Sequence, residues 1–397
     1  MHTTQTTRSL PSGIPGILSV FLLLLAAPAQ AAPDAPQERI PIIYSTDLYH
    51  PPQDPDDHYD LALLHSLKEL EIKALIFDVA TAQRKPGEFG KPALDQMAKI
   101  TGQTPPPWKV GLRDPLRSPD DQALDQPEEF QGGVNLILST LEQSGKPVVM
   151  FLVGSCRDFA AAFNRNPGLL RKKVRAVYVN AGNGSKGRQW EWNVRLDPNA
   201  YAGLMCSGLP IYWAPCFTET NVLCPPDDVS AGKAFGTYFI VPDQAKLLAS
   251  TRARVKNYFA YALSRSEEEP LGFLDKEPQA LPATQRNMWC LGPFLHAAGR
   301  EIYATQDGKW IACRPDMAEK SGVKGPAVEV FHFEPVSFTY DWKAWRKGDV
   351  KLMIPEFYNN AGQTPAQKPS SVQVFRYTHR DYNTIMPAVM AGLLETL

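Results

Sequence analysis

The sequence predicts an α/β protein with a mostly parallel central sheet, helices on both faces and a C-terminal α+β extension. Two observations predict it. Between Ile42 and Ala214, apolar runs of strand length alternate with segments of helical period, and the connections are long enough for crossovers. The first apolar run also ends in a carboxylate, and further carboxylates open the segment that follows. In a parallel sheet, strand ends and helix starts of this kind face one crevice, where such sheets bind ligands.

Taken in order, Ile42-Ile43-Tyr44-Ser45-Thr46 reads as a buried strand, and Leu61, Leu64, Leu67 and Leu70 give the next segment a helical spacing. Ile72 to Val79 is a second strand, Pro92 to Thr101 a helix, and Lys109 to Gly111 a short strand. Asp114 to Gln131 is polar and reads as a surface loop, Gly133 to Gln143 as a helix, and Pro147 to Val153 as a continuous apolar strand. Asp158 to Phe163 opens a helix and Val174 to Val179 is a strand; Asp197 caps a helix with Pro198 at its first position, and Leu209 to Ala214 is another strand. Beyond Phe217 the alternation fades. Thr218 to Gly236 reads as a loop, Asp243 to Ser264 as a long amphipathic helix, and Arg286 to Pro293 leads into a helix ending at Arg300. Gly322 to Phe357 is β-branched and aromatic enough for a small antiparallel sheet, and Met386 to Leu397 closes the chain as a helix. No linker detaches the last third. The expected organisation is one α/β domain over residues 32–300, with residues 301–397 packed on it.

With 397 residues, 44% of them apolar, and a formal charge of -1, the chain has the composition of an ordinary globular protein. There is no basic excess for nucleic acid and no basic amphipathic stretch for a membrane surface. Thirty-six prolines imply long ordered loops. Residues 1–31 read as a signal peptide: Arg8 precedes a mostly apolar Ile14–Ala27, and Ala29-Gln30-Ala31 fits a small-x-small cleavage site. Pro15 and Gly16 leave the apolar run short of a membrane span. Export to the periplasm or the medium is the expectation. Six cysteines show no zinc spacing; Cys216 with Cys224, and Cys290 with Cys313, are candidate disulfides, with buried free thiols the alternative.

The candidate chemistry gathers at strand ends. Asp47 closes the first strand, and Asp56, Asp57 and Asp60 open the next helix, where an acidic residue also has an ordinary capping role. Carboxylates converging in one crevice repel one another unless a hard cation such as Ca2+ lies among them. Val153-Gly154-Ser155-Cys156-Arg157-Asp158 forms the next strand-to-helix turn of interest. Asn180-Ala181-Gly182-Asn183 and Glu191-Trp192-Asn193 follow a later strand. A carboxylate with carboxamides satisfies the donors and acceptors of a vicinal diol.

Ser45-Thr46-Asp47 followed by Asp56-Asp57 resembles the N-terminal signature of the inosine-uridine-preferring nucleoside hydrolase family, an Asp-x-Asp and then a paired Asp-Asp before a helix. Ser45 replaces the first Asp, and the loop from Leu48 to Pro55 is longer than the family's tight turn. Glu191-Trp192-Asn193 with Asp197-Pro198 resembles a second family segment, and the resemblance runs from about Ile40 to Arg300. It implies a nucleoside hydrolase-like fold and metal-assisted hydrolysis of an N-ribosidic bond in a nucleoside or related riboside. By that resemblance Ca2+ is held by Asp47, Asp56, Asp57 and the backbone carbonyl of Arg157, and Asp47 activates water. Glu191, Asn193 and Asn183 would hold the ribose. The family's last ligand, an Asp, is replaced by Cys290 within Met288 to Pro293, and thiol is a poor ligand for Ca2+. His296 and His379 are candidates to protonate the leaving base. The alternative is a relative without turnover that binds a sugar or nucleoside. A phosphatase is disfavoured, because no nucleophile turn or phosphate loop is present. The expected partner is a small-molecule riboside, with no nucleic acid, no membrane after signal cleavage, and homo-oligomerisation possible.

Overall fold

The computed structural model describes residues 38–81, 89–183, 191–217, 235–323, 325–339, 356–358 and 371–397. The proposed signal peptide, Cys224 and most of the Thr218–Gly236 loop lie outside the described residues.

The first six strands are β1 (Ile40–Thr46), β2 (Leu70–Phe77), β3 (Trp108–Val110), β4 (Val148–Leu152), β5 (Val174–Val179) and β6 (Ile211–Trp213). They stand in the spatial order β3-β2-β1-β4-β5-β6, every neighbour parallel. The order reverses at β1, which pairs with β2 on one side and β4 on the other, leaving a crevice beyond the carboxyl ends of β1 and β4. The crossovers are made by α1 (Asp56–Ser66), α2 (Lys91–Thr101), α3 (Gly132–Gln143), α4 (Arg157–Arg165), α5 (Pro167–Lys173), α6 (Trp192–Leu196) and α7 (Pro198–Met205).

The strands read as unbroken apolar runs because both faces are buried. Ile42, Tyr44, Phe77, Phe151 and Tyr178 belong to one core, and Ile43, Ile76, Met150, Val177 and Val179 to the other. Helix α1 departs from a simple amphipathic helix. From Asp57 to Ser66 every residue is buried, because α1 packs against the sheet and against helices from both ends of the chain. Its polar residues are therefore dry.

Later elements correct two expectations. The long helix over Asp243–Ser264 is two helices, α8 (Gln244–Leu247) and α9 (Ala253–Leu263). Thr251 ends the first by donating from both its backbone N–H and its hydroxyl to the Leu248 carbonyl; a threonine hydroxyl competes in this way with the helical ladder. The segment Arg286–Pro293 is not all helix entry. With β7 (Phe239–Val241), β8 (Arg286–Met288) forms an antiparallel ribbon, and short α10 (Pro270–Phe273) and then α11 (Leu291–Ala298) flank it along the chain. A second ribbon joins β9 (Glu301–Ala304) to β10 (Trp310–Cys313).

The aromatic stretch after Gly322 contributes to the main sheet as well as to a small one. Strand β11 (Phe331–Pro335) pairs antiparallel with β14 (Val372–Tyr377), and β14 extends the sheet parallel to β6. Only β12 (Ser337–Thr339) and β13 (Glu356–Tyr358) form a separate pair. Helix α12 (Tyr382–Leu394) then packs on α1. Among the described residues the sheet has eight strands, and the C-terminal segment supplies one end of it. Among the described residues, no helix is long and apolar enough to cross a membrane.

Cys290 and Cys313 are both free, as are Cys156, Cys206 and Cys216, so the expected Cys290–Cys313 bridge is not formed. Cys290 faces the β1–β5 side of the core while Cys313 ends the β10 ribbon, and each thiol is buried in its own surroundings.

Asp158 opens α4 and is buried, accepting the backbone N–H of Leu112 at 3.0 Å. Burial, and then the nearby Asp78, push its carboxyl up to about 7. A carboxyl held above its unfolded value keeps its proton better in the fold, so its contribution is fully present below about pH 4 and is lost as pH rises towards 7. Asp158→Asn retains an acceptor without the titration. Relative to wild type it should gain stability between pH 4 and 7, by roughly 4 kcal/mol at most, in urea unfolding followed across that range.

Candidate active site

A cavity of about 500 Å³ opens at the crevice beyond β1 and β4, and Asp47, Asp56, Asp57, Asp60, Glu191 and Asn193 all line it. Asp47 is the residue after β1, and Asp56 and Asp57 are the first two of α1. Thr46 fixes the junction. Its hydroxyl donates to Asp57 Oδ1 at 2.5 Å while accepting the Leu48 N–H at 3.1 Å. The Tyr44 hydroxyl reaches the same carboxylate oxygen at 3.5 Å.

These carboxyls raise one another. Asp57 lies well above the usual carboxylate range through burial and then through Asp47, Asp56 and Asp60. Asp56 is raised by burial first and then by Asp54, Asp60 and Asp47. Asp60, one helical turn beyond Asp56, is pushed up to about 7 by burial and by Asp47, against a lowering bond from the Cys290 thiol. Its Oδ1 is buried with no hydrogen-bond partner among the described residues. Among those residues, no group of three or more His, Cys, Asp or Glu side chains forms a ready-made cation cage. The donor chemistry nevertheless suits a hard cation: oxygen ligands, mutual repulsion and an unsatisfied buried oxygen.

The end of β4 approaches closely because residue 154 is glycine. A Cβ there would sit 2.7 Å from Asp78 Oδ2 and 3.1 Å from the backbone nitrogen of Asp47. Asp78 holds the turn by accepting the Ser155 N–H at 2.7 Å and the Ser155 hydroxyl at 2.8 Å. Three residues on, Arg157, whose backbone carbonyl is the expected ligand, is not among the residues that line the cavity. It begins α4, and its guanidinium is spent on structure. Nε donates to Asp197 Oδ2 at 3.2 Å, Nη1 to the carbonyls of Leu112 and Arg113, and Nη2 to that of Leu196. The carbonyl facing the crevice from this turn belongs to Val153 and accepts from Asn193 Nδ2 at 3.1 Å.

At the end of β5, Asn180 lines the cavity and Asn183 does not. Asn183, the expected sugar contact, forms a backbone bridge with Phe217. Asn180 donates to the Ala214 carbonyl at 2.8 Å and accepts from the Cys290 thiol at 3.2 Å. Glu191 caps α6, accepting the N–H groups of Gly182 at 2.8 Å and Asn193 at 2.9 Å. Burial still pushes its carboxyl up to about 7. Asn193 also donates to the Asn180 carbonyl at 2.9 Å, bracing the ends of β4 and β5. Its Oδ1 has no partner among the described residues. The remaining wall is aromatic. Phe217 and Trp289 line the cavity and meet Tyr238 in a cluster with ring centroids 5.7 to 6.0 Å apart.

Neither candidate histidine reaches this cavity. His296 takes the Tyr178 hydroxyl on Nδ1 at 2.6 Å, among Tyr212 and Phe333, and His379 lies against Trp310. Asp60 and Asn180 were legible in principle: the first repeats Asp56 at i+4, and the second follows a strand as Asp47 does.

No family model matches the chain. It is similar to the pyrimidine-specific ribonucleoside hydrolase RihA of Enterobacter sp. (strain 638), 27% identical over 290 residues that cover 68% of this chain and 83% of that protein. RihA of Citrobacter koseri is 25% identical over 215 residues, covering 50% of this chain and 66% of that protein. Its curated relatives are thus ribonucleoside hydrolases, matched at 25–27% identity. Two solved structures share its fold. An inosine-guanosine nucleoside hydrolase superposes with a TM-score of 0.51 at 12% identity, covering 90% of this chain and 99% of the other. A plant nucleoside hydrolase gives 0.50 at 14% identity, covering 90% and 98%. Ser45, the long loop after Leu48 and the thiol of Cys290 on the cavity wall are the departures from the signature the chain resembles.

Arg157 and Asp197 form a salt bridge buried on both sides, 1% and 0% exposed. Arg157→Met leaves the Asp197 carboxylate without its cation and should cost about 3–5 kcal/mol. Chemical denaturation of the variant checks this.

Proposed function

We propose that this protein cleaves the N-ribosidic bond of a ribonucleoside or a related riboside. The observation that carries the reading is a single cavity at the switch point of the sheet, lined by Asp47, Asp56, Asp57 and Asp60 on one side and by Glu191, Asn193 and two aromatic rings on the other.

A divalent cation, Ca2+ by the hardness of its donors, would be held by Asp47, Asp56, Asp57 and Asp60, offsetting their repulsion and lowering the pKa of nearby water. Asp47 stands at the end of β1, where a carboxylate can accept the proton of a water attacking the anomeric carbon. Positive charge then develops on the sugar ring, and the field of the α1 carboxylates favours it. Asn193 Oδ1, Asn180 and Glu191 offer acceptors and donors suited to the ribose hydroxyls. The base would stack on Phe217 and Trp289, whose buried Nε1–H has no partner among the described residues and can donate to a base acceptor. Export with cleavage near Ala31 belongs to the same proposal, and N-terminal sequencing of the mature protein tests it.

One observation favours a second reading, a sugar-binding protein without turnover. The thiol of Cys290 lies on the cavity wall bonded to Asn180, where a further hard oxygen donor would strengthen cation binding.

Release of free ribose from a panel of nucleosides separates the two readings. With wild type active, Asp47→Asn should lower kcat by about 10²- to 10⁴-fold; full activity in that variant would remove Asp47 from the mechanism. Ca2+ should raise the Tm of wild type in a titration, and Asp57→Asn should blunt that rise. A Tm indifferent to Ca2+, Mg2+ and Mn2+ would remove the cation.

A further inference from the structure

We infer that the substrate carries an anionic group on its sugar and that Arg195 receives it: the substrate class is a ribonucleoside 5′-monophosphate, cleaved to the free base and ribose 5-phosphate. The inference rests on the hydrolase reading above and specifies what that site takes.

The cavity lining is unbalanced. Five aspartates and Glu191 face it, and Arg195 is the one cationic side chain among the described lining residues. Among the described residues, two further arginines are paired with carboxylates. Arg286 reaches Asp54 at 2.7 Å, and Arg157 is buried against Asp197. Arg195 is exposed and has no ion pair among the described residues; its guanidinium lies 5.8 Å from the Trp192 ring centroid. Trp192 is itself 48% exposed and lines the same cavity. An indole under a guanidinium holds its plane without satisfying its donors. Those donors form a fork that matches the oxygens of a phosphate.

Position decides which end of the ligand the cation meets. The Arg195 backbone N–H donates to the Glu191 carbonyl, so α6 carries Glu191, Asn193 and Arg195 within a single turn. Glu191 and Asn193 are the groups suited to the ribose. The aromatic surface suited to the base is formed by Phe217 and Trp289, from other segments of the chain. The cation therefore accompanies the sugar. A neutral nucleoside has no group that requires a guanidinium at this place, whereas a 5′-phosphate would otherwise find no opposite charge among the described lining residues. In the reaction, the oxygen of water bonds C1′ and the C1′–N bond breaks with its electron pair going to the base. One water proton stays on the new anomeric hydroxyl and the other ends on the base nitrogen. The phosphate takes no part in bond making.

The test compares kcat/KM for uridine with uridine 5′-monophosphate, and inosine with inosine 5′-monophosphate, in wild type, Arg195→Ala and Arg195→Lys. Wild type should prefer the monophosphates. Arg195→Ala should lower that preference by about 10- to 100-fold, the range expected for a charge-assisted bond, and Arg195→Lys should restore part of it. A binding readout runs beside it: ribose 5-phosphate should raise the Tm of wild type more than ribose does, and the difference should vanish in Arg195→Ala. Nucleosides cleaved as well as their monophosphates, with Arg195→Ala lowering both alike, would overturn the inference and leave the hydrolase reading standing. If no substrate is cleaved but ribose 5-phosphate still protects wild type through Arg195, the anion site stands and the hydrolase reading falls. Equal protection by ribose and ribose 5-phosphate in wild type would overturn the anion site.

Discussion

The structure depends on one unfavourable arrangement, the burial of several carboxyl groups at the junction of β1 and α1. Charges removed from water cost free energy unless paired, bonded or protonated. Here Asp57 is bonded by Thr46, and Asp60 meets a thiol. What remains is repulsion among neighbours, visible in the raised carboxyls of Asp56, Asp57 and Asp60. Helix α1 can hold them there because it is packed on every side by other parts of the chain, including α12 from its far end. A helix covered on one face only would let water in and relax the strain.

The rest of the site is built to keep that junction in place. Gly154 allows β4 to turn against the Asp47 backbone, Asp78 and Ser155 lock the turn, and Asn193 ties β4 to β5. Arg157 and Asp197 pin the starts of α4 and α7 beneath it. Two residues expected to touch a ligand thus prove to be wholly or partly braces. The Arg157 side chain is a brace, while Asn193 braces through its amide nitrogen and presents its oxygen.

The central strands and their helices were legible because burial on both faces leaves continuous apolar runs, and helical spacing marks what lies between. The acidic junction was legible because carboxylates at a strand end have few other reasons to be there. Other features were not. The division of Asp243–Ser264 into two helices comes at an extended Arg252, which no period in the sequence marks. That Asn180 and not Asn183 lines the cavity is set by how the end of β5 sits against the crevice, which no short stretch shows. His296 and His379 carried the right chemistry in the wrong place, and only packing could show that.

What the sequence by itself determined was local: the periods of strands and helices, the caps at Asp197 and Glu191, and the carboxylates of the first β–α junction, all of which follow from residues within a few positions of one another. Only the tertiary structure decided what those groups meet. The strand order that places β1 beside β4, the completion of the sheet by β14 and the free thiol of Cys290 beside Asp60 join residues tens to hundreds of positions apart. Such contacts are chosen by burial of the whole core, which no short stretch of chain encodes.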